Sequence, residues 1–379
     1  MGIFSNKEAY LGVDIGAHGI KLVELRKTKG RPQLWTYGLA DKELNIGLLE
    51  RKEKTPEELL AETGSVIRGA DKQKEGKPMP VLEDPRIEQY AKLLRELCKR
   101  AKVTTKKTSA SLPVSHIFHA VLTMPKIDRK EIEPVVKAEI QKMLSRPIDE
   151  MQIVHQVIPE AVVGHDKYLR VLVTAAPKQL VQFYTAIFQR AGLVLQELET
   201  EAFALERSLV GKDTATVMVV DIGAERTNFF IINNGLPLTH RSISEGGNTI
   251  DRTLVSALGV EPDMVGQIKQ DMSRYSGKIK TEIFGSFIGP IIKEIEYGFD
   301  LFLHQTGNEG KKPEKIILTG GSCVLPFIRE EIQKVFPMKV FVGDPWARTI
   351  YQDGLKTVLD GLGPRMAVSI GLAMRNIVG

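Results

Sequence analysis

The chain has 379 residues, more than one small hydrophobic core needs, and this length predicts two or three domains. Its formal charge is only +5, and its 42% hydrophobic content is that of an ordinary globular protein. No segment reaches the roughly 18 apolar residues that a membrane span requires, and the N-terminal segment lacks the apolar stretch of a signal peptide. The two cysteines, Cys98 and Cys323, exclude a disulfide framework. We therefore expect a cytoplasmic protein.

Two short basic clusters occur in the first third of the chain, at residues 26–31 and 99–107. Such clusters can contact phosphates or anionic lipid, but they are also typical of a solvated hairpin tip and a solvated helix end, which is the interpretation we favour. With only 14 Phe, 8 Tyr and 2 Trp, the sequence lacks the interleaved aromatic and basic residues of single-strand binders. It therefore predicts no nucleic-acid partner.

Three short β-rich runs open the chain at residues 10–16, 19–26 and 33–40, and glycine-containing turns separate them. This pattern predicts an antiparallel meander. The charged segment that follows contains several prolines and glycines, and it predicts an exposed, mobile insertion near residues 41–85. Apolar residues then recur at helical spacing over residues 85–101, which predicts an amphipathic helix.

Residues 108–192 alternate between strand and helix patterns. Two β-rich runs end at Pro113 and Pro125, and a helix with Asp128 at its N-cap position follows them. Another pair of strands precedes a helix that ends at Gly192. These residues predict a compact α+β unit.

The second half of the chain returns to the pattern of its beginning. A strand that runs into a helix comes first, and three short strands follow it. The predicted elements are the strand and helix at 193–211, strands at 216–223, 227–235 and 236–243, a helix with a glycine-rich start at 246–259, a mostly helical stretch at 262–305, a strand at 315–321, a helix at 325–336, a strand at 338–345 and a helix at 365–379.

The tetrapeptide Asp-Ile-Gly-Ala occurs twice, beginning at Asp14 and at Asp221, each time at the end of an apolar run. Gly16 and Gly223 let the backbone approach a ligand, and consecutive N–H groups in such a turn form a concavity suited to phosphate oxygens. Phosphate would repel the two aspartates, which instead suit Mg²⁺ held through water. The candidate nucleotide-binding residues of the two turns are Gly16, Ala17, His18, Gly19, Lys21, Gly223, Ala224, Arg226, Thr227 and Asn228.

A third glycine-rich turn follows the buried-strand pattern and precedes a helix that begins near Pro326. Its glycine pair leaves room for a flat base and ribose against the backbone. A plain strand–helix loop is the alternative, but the order of the three turns favours a nucleotide site. Neither a Walker loop nor a G-x-G-x-x-G fingerprint occurs. The further candidates are Gly320, Gly321 and Ser322 in this turn, and Gly246 and Gly247 at the glycine-rich helix start.

The order of two Asp-Ile-Gly hairpins and a strand–Gly-Gly–helix unit resembles the superfamily of actin, heat-shock and sugar-kinase ATPases. Within it, residues 10–25, 112–158, 171–209 and 367–375 are similar to the PilM family of type IV pilus assembly proteins, relatives of the division protein FtsA. The resemblance covers all but about residues 41–85. The family often has serines where this chain has Ala17, His18 and Gly19, so we expect backbone contacts to the phosphates, with Lys21 as the cation.

The resemblance implies an α/β, actin-like, two-lobed fold with a small inserted α+β subdomain of the FtsA/PilM type. It also implies ATP and Mg²⁺ in the cleft between the lobes. The expected division is 1–107, 193–213 and 343–379 for the first lobe, 108–192 for the inserted subdomain, 214–250 and 311–342 for one part of the second lobe, and 251–310 for its other part.

By the same resemblance, the expected function is a cytoplasmic ATP-binding scaffold of type IV pilus assembly. It would bind the N-terminal cytoplasmic tail of the inner-membrane protein PilN, in a groove between the first lobe and the small subdomain. The expected indirect partner is the inner-membrane protein PilO, and the pilus motor ATPases are expected as further contacts. The membrane is expected to be reached only through the partner. At most weak ATPase activity is expected, and neither Glu199 nor Glu201 is assigned as catalytic. The alternatives are an FtsA-like filament-forming division protein and a small-molecule kinase of the same superfamily.

Overall fold

The computed structural model describes residues 8–41, 81–158, 168–274, 281–305, 307–308 and 310–378, so the predicted insertion near 41–85 lies almost wholly outside the described residues. The strands of these ranges are β1 (Ala9–Gly16), β2 (Gly19–Arg26), β3 (Gln33–Asp41), β4 (Lys107–Leu112), β5 (Phe118–Pro125), β6 (Met151–Val157), β7 (Tyr168–Pro177), β8 (Val194–Thr200), β9 (Val217–Ile222), β10 (Thr227–Asn233), β11 (Leu236–Ile243), β12 (Lys315–Thr319) and β13 (Lys339–Val342). Their α-helices are α1 (Pro85–Arg100), α2 (Arg129–Gln141), α3 (Lys178–Ala191), α4 (Glu201–Leu205), α5 (Gly247–Leu258), α6 (Val265–Met272), α7 (Gly285–Leu303), α8 (Pro326–Val335) and α9 (Lys356–Met374). None of these helices is long and apolar enough to cross a bilayer.

The first sheet combines the N-terminal meander with two strands from further along the chain. Its order is β3-β2-β1-β4-β8, in which β1, β2 and β3 are antiparallel and β4 and β8 run parallel to β1. The predicted meander is thus confirmed. The central strand β1 is buried on both faces, since Leu11 and Val13 pack with α1 and α3 while Gly12 lies against α9.

The second sheet repeats the layout of the first. Its order is β11-β10-β9-β12-β13, with β9, β10 and β11 antiparallel and with β12 and β13 parallel to β9. One face packs on α7 and α8. The other face packs on α4 and α9, which lie between the two sheets. Each Asp-Ile-Gly-Ala copy therefore stands at the end of the first strand of one sheet.

A third, antiparallel sheet has the order β5-β7-β6, and α2 covers one of its faces. Its other face meets the second sheet, because Leu172 belongs to that core and His119 Nε2 lies 3.1 Å from the Pro237 carbonyl oxygen on β11. By contrast, β4 is hydrogen-bonded within the first sheet and α3 packs on α1. We therefore propose 113–177 as the inserted subdomain in place of 108–192, and the other borders remain predictions.

The C-terminal helix begins earlier than the sequence pattern predicts, at Lys356 rather than at residue 365. The predicted start was wrong, since the helix already includes residues 356–364, and Pro364 lies inside α9. The Pro364 carbonyl accepts hydrogen bonds from Gly320 N and Thr319 Oγ1, at 3.0 Å each. This proline therefore joins the last helix to the third glycine-rich turn.

Candidate functional site

The first Asp-Ile-Gly-Ala turn is a tight hairpin in which Gly16 pairs with Gly19. Ala17 and His18 are the two turn residues between these glycines, and both line the cleft described below. Gly19 has φ +129°, and a Cβ there would lie 1.8 Å from the Ala40 carbonyl oxygen on β3. Gly19 is therefore required for the approach of β3, and it does not line the cleft.

Asp14 and Lys21 face each other across the first hairpin. Lys21 Nζ lies 2.9 Å from Asp14 Oδ2, and Ser111 Oγ donates to Asp14 Oδ1 at 3.1 Å. Burial alone would lower the pKa of Lys21, but the Asp14 carboxylate outweighs it, so the pKa is raised and the ammonium group stays charged. The cation of this site is thus bound to Asp14 in the structure.

The second Asp-Ile-Gly-Ala turn is held by the start of α5. Gly223 N donates to the Arg226 carbonyl at 2.9 Å, which closes the turn. Gly247 N donates to the Gly223 carbonyl, also at 2.9 Å. A Cβ at Gly246 would lie 2.5 Å from the Ala224 carbonyl oxygen, so a glycine is needed where the helix start touches the turn. Gly246 supports the turn from behind and does not line the cleft.

The two polar residues at the start of β10 have different surroundings. The Thr227 hydroxyl is buried and donates to the Glu245 carbonyl at 2.7 Å, so it faces away from the cleft. Asn228 lines the cleft and donates through Nδ2 to Glu201 Oε2 at 3.3 Å. Alternation of side chains along a strand accounts for this difference between neighbours.

The third glycine-rich turn lies directly on the end of β9. Gly320 has φ +88°, and a Cβ there would lie 2.4 Å from the Ile222 carbonyl oxygen and 2.5 Å from Asp221 Oδ1. Ser322 N donates to the Ile222 carbonyl at 3.3 Å. Only glycine combines this left-handed backbone with so close an approach. The second and third turns therefore form one continuous wall.

The three turns line a single cleft of about 590 Å³, a volume within the usual range of small-molecule sites. Gly19, Thr227 and Gly246 lie outside its lining. The predicted residues that do line it are Asp14, Gly16, Ala17, His18, Lys21, Asp221, Gly223, Ala224, Arg226, Asn228, Gly247, Gly320, Gly321 and Ser322.

Five acidic residues of the described ranges line the cleft, and three of them, Asp14, Asp221 and Glu201, interact electrostatically with one another. Burial raises the pKa of Asp221 to about 6, and Lys21 opposes this rise while Asp14 adds to it. Burial, together with the charges of Asp14 and Asp221, raises the pKa of Glu201 well above its usual value. Both shifts mean that the charged forms of these two carboxyl groups are disfavoured in the folded protein, and a bound cation would favour them.

This set of donors fits Mg²⁺ that keeps most of its waters. In the ranges that the structure describes, no three His, Cys, Asp or Glu side chains come close enough together to hold a metal ion. Mg²⁺ commonly binds through one or two carboxylates, with waters and substrate phosphates completing the octahedron. Asp221 is the better candidate for such a contact, because Asp14 is already paired with Lys21.

The structure separates the roles of Glu199 and Glu201, which the sequence left unassigned. Glu199 is buried beneath two guanidinium groups, those of Arg207 and Arg375, with Arg375 Nη1 at 2.5 Å from Oε2. It therefore ties β8 to the end of α9. Glu201 lines the cleft instead.

Several lining residues were not identified from the sequence. The connection 113–116 between β4 and β5 forms part of one wall. Asp251 on α5 and Lys269 on α6 pair at 2.8 Å and line another part. Arg365 lines the cleft beside Gly321 and donates to Asp41 Oδ1 at 2.5 Å. No spacing motif marks these residues, because separate elements bring them together.

Known proteins share this fold over almost the whole chain. A PilM–PilN type IV pilus biogenesis complex contains a chain that matches with a TM-score of 0.73 and 22% identity, covering 97% of this chain and 98% of that one. The ethanolamine utilization protein EutJ from Carboxydothermus hydrogenoformans matches with a TM-score of 0.51 and 16% identity, covering 98% and 90%. The fold is therefore the predicted actin-like fold.

Sequence comparison gives the family. Cell division protein FtsA from Neisseria meningitidis serogroup B is 25% identical over 230 residues, which are 54% of this chain and 53% of that protein. The chain thus spans about half the length of this curated relative. The family model described as type IV pilus assembly protein PilM matches residues 77–377. Because that match covers most of the sequence, the chain belongs to the PilM family of type IV pilus assembly proteins.

Proposed function

We propose that the cleft binds MgATP. The observation that carries this proposal is the meeting of three glycine-rich turns, two of them copies of one hairpin, around a single cleft. Gly16, Gly223 and Gly320 leave backbone at its surface, which suits phosphate oxygens and a flat nucleoside. Bound Mg²⁺ would neutralise phosphate charge, with Asp221 contacting it through water. Lys21, paired with Asp14, would stand beside the phosphates.

We further propose that the nucleotide-bound chain is a cytoplasmic scaffold of type IV pilus assembly. It would receive the N-terminal cytoplasmic tail of a PilN-like inner-membrane protein between the first lobe and the small subdomain. Through that tail it would connect to a PilO-like protein, and the pilus motor ATPases would be further contacts. Membership of the PilM family and the likeness to the chain solved with PilN support this role.

Saturating MgATP is expected to raise the melting temperature, because a ligand that binds only the folded state stabilises it. At 100 times the dissociation constant the gain is about 2.7 kcal/mol, which corresponds to a shift on the order of 5 °C. Gly16→Val should abolish the shift while the chain still folds, since the nearest atom to the new Cβ is the flexible Lys21 Nζ at 3.1 Å. Differential scanning fluorimetry with and without MgATP measures both effects.

Gly289→Val is the matched control, because nothing lies within 4 Å of a Cβ at Gly289 and this glycine does not line the cleft. It should keep the full MgATP shift. The nucleotide proposal is overturned if wild type shows no shift, or if Gly16→Val keeps it. Rapid ADP formation with a small-molecule acceptor would instead favour the kinase alternative.

Binding of the membrane partner is tested with a synthetic peptide. Its sequence is that of the N-terminal cytoplasmic tail of the proposed PilN-like partner. We expect saturable binding by fluorescence anisotropy, and hydrogen-exchange protection confined to the first sheet and to residues 113–177. A shuffled peptide of the same composition is the control. Equal binding of both peptides, or protection confined to the second sheet, contradicts the scaffold proposal.

A further inference from the structure

The two basic clusters, which lie far apart in the sequence, meet at the end of the first sheet opposite the cleft. Arg26 ends β2 and pairs with Ala9 at the start of β1. The second cluster is held beside it, since Thr105 Oγ1 donates to the Ala9 carbonyl at 2.9 Å. Thr104 N also donates, at 2.6 Å, to the buried Glu24 carboxylate on β2. The fold therefore builds one basic surface from separate segments.

We call this surface the basic end. Its cations besides the half-buried Arg26 are exposed, and they are Lys27, Lys29, Arg31, Lys99, Arg100, Lys102, Lys106 and Lys107. Among the ion pairs of the described residues, only one includes a member of this group, with 3.7 Å between Lys27 Nζ and Glu8 Oε2. Such a concentration of nearly uncompensated positive charge attracts an extended polyanion.

An exposed aromatic residue lies at the rim of the basic end. Between β2 and β3 the register shifts, so that Glu24 pairs with Thr36 and Leu25 with Leu34, which leaves Trp35 in a bulge. A bulge redirects its side chain, and Trp35 is 47% exposed. The Arg26 guanidinium carbon lies 3.2 Å from the Trp35 ring centroid.

An aliphatic residue accompanies this tryptophan. Ile350 runs beside β3, where Leu34 N donates to its carbonyl at 2.8 Å, and its side chain is 48% exposed. Tryptophan is favoured at the boundary between water and lipid, and cations are drawn to anionic headgroups. Single-strand nucleic-acid binders instead stack bases on free aromatic faces, but one face of Trp35 is covered by Arg26. The pattern therefore favours a membrane surface over nucleic acid.

We propose that the basic end docks on anionic phospholipid headgroups, with Trp35 and Ile350 entering the headgroup layer. This contact goes beyond the proposed scaffold function, and it is independent of nucleotide and of the partner's tail. It also replaces the expectation that the membrane is reached only through the partner. Each exposed cation adds a small attraction that salt screens, so the binding is reversible.

The test is co-sedimentation of the full chain with vesicles. We expect binding to vesicles of equal parts phosphatidylglycerol and phosphatidylethanolamine, and none to pure phosphatidylcholine. Raising the salt from about 0.1 M to about 1 M, which shortens the Debye length from about 10 Å to about 3 Å, should release the protein. Equal binding to neutral and anionic vesicles, or tight binding to a single-stranded oligonucleotide without vesicle binding, overturns the proposal.

A triple variant locates the contact. Lys29→Glu, Lys99→Glu and Lys106→Glu together should weaken the partition coefficient roughly 100-fold. The control, Lys126→Glu, Lys130→Glu and Lys293→Glu, changes the formal charge equally, from +5 to −1 because each exchange removes two units, but at exposed positions elsewhere. It should keep most of the binding. Equal loss in both variants would show that only net charge matters, which overturns the proposed surface.

Tryptophan fluorescence gives a local readout without substitution. The chain has 2 Trp residues, and Trp346 is fully buried with its Nε1 donating to the Leu359 carbonyl at 2.8 Å. A change on vesicle binding therefore reports Trp35. We expect a blue shift with anionic vesicles that Trp35→Ala removes. An unchanged emission spectrum of the vesicle-bound protein contradicts docking through the basic end.

Discussion

Replacing Gly371 by alanine is expected to destabilise the chain by at least about 4 kcal/mol, or to prevent folding. A Cβ at this position would lie 1.8 Å from the Ala204 carbonyl oxygen and 2.5 Å from its carbon. These are backbone atoms of α4, so no rotamer change can relieve the clash. The helices would have to separate, which would also break the 2.9 Å hydrogen bond from Arg207 Nε to the Gly371 carbonyl. Chemical denaturation measures the loss.

Gly361 provides the matched control in the same helix. Nothing lies within 4 Å of a Cβ there, and the residue is exposed. Gly361→Ala should therefore stabilise the chain by about 0.5–1 kcal/mol through higher helix propensity. If Gly371→Ala came within about 1 kcal/mol of wild type, α4 and α9 would not be packed as closely as the structure shows.

Much of the cleft could be predicted from the sequence because its turns carry short local signals. A strand that ends in Asp-Ile-Gly needs no distant partner to be recognised, and the same holds for Gly320 and Gly321 after β12. The two copies of Asp-Ile-Gly-Ala, each within a predicted set of three strands, also indicated two similar sheets. However, the turns do not show which glycine faces a ligand, and three of the predicted residues, Gly19, Thr227 and Gly246, serve packing or support instead.

The contacts that join distant segments could not be predicted. The need for glycine at position 371 follows only from the α4 backbone that lies beside it. The residues around Gly371 in the sequence are those of any helix rich in small residues. Glu199 and Glu201 stand two residues apart and look equivalent in the sequence. The fold distinguishes them, because Glu199 pairs with Arg207 and Arg375 whereas Glu201 lines the cleft.

Replacing Asp221 by asparagine is expected to raise the free energy of unfolding of the nucleotide-free chain by about 1–3 kcal/mol at neutral pH. Burial raises the pKa of Asp221 in the folded state to about 6, above its value of about 4 in the unfolded chain. The folded state therefore holds this proton more tightly. The contribution of the protonated Asp221 carboxyl group to the free energy of unfolding is fully present below about pH 4, and it is lost as the pH rises through about 6. Asparagine removes the charge that causes this loss, so the gain over wild type should vanish near pH 4, as denaturation at several pH values will show.

Asp213→Asn is the control with the opposite sign. Its carboxylate lies 2.5 Å from Lys315 Nζ, and this hydrogen bond lowers the pKa of Asp213. The ionised Asp213 carboxylate stabilises the fold at pH values above its pKa in the unfolded chain, and this stabilisation is lost in acid. Asp213→Asn should therefore lower the free energy of unfolding slightly at neutral pH and leave it unchanged at low pH.

The same Asp221→Asn variant should lose part of the stabilisation by MgATP if Asp221 contacts Mg²⁺ through water. The variant should thus be more stable without ligand and be stabilised less by MgATP. This combination is expected where a residue serves ligand binding at a cost in stability. If Asp221→Asn left the free energy of unfolding unchanged at every pH, the charge of the Asp221 carboxylate would already be compensated in the nucleotide-free protein. The electrostatic reason for a cation in the cleft would then fail, and the proposal that Asp221 contacts Mg²⁺ would have to be abandoned.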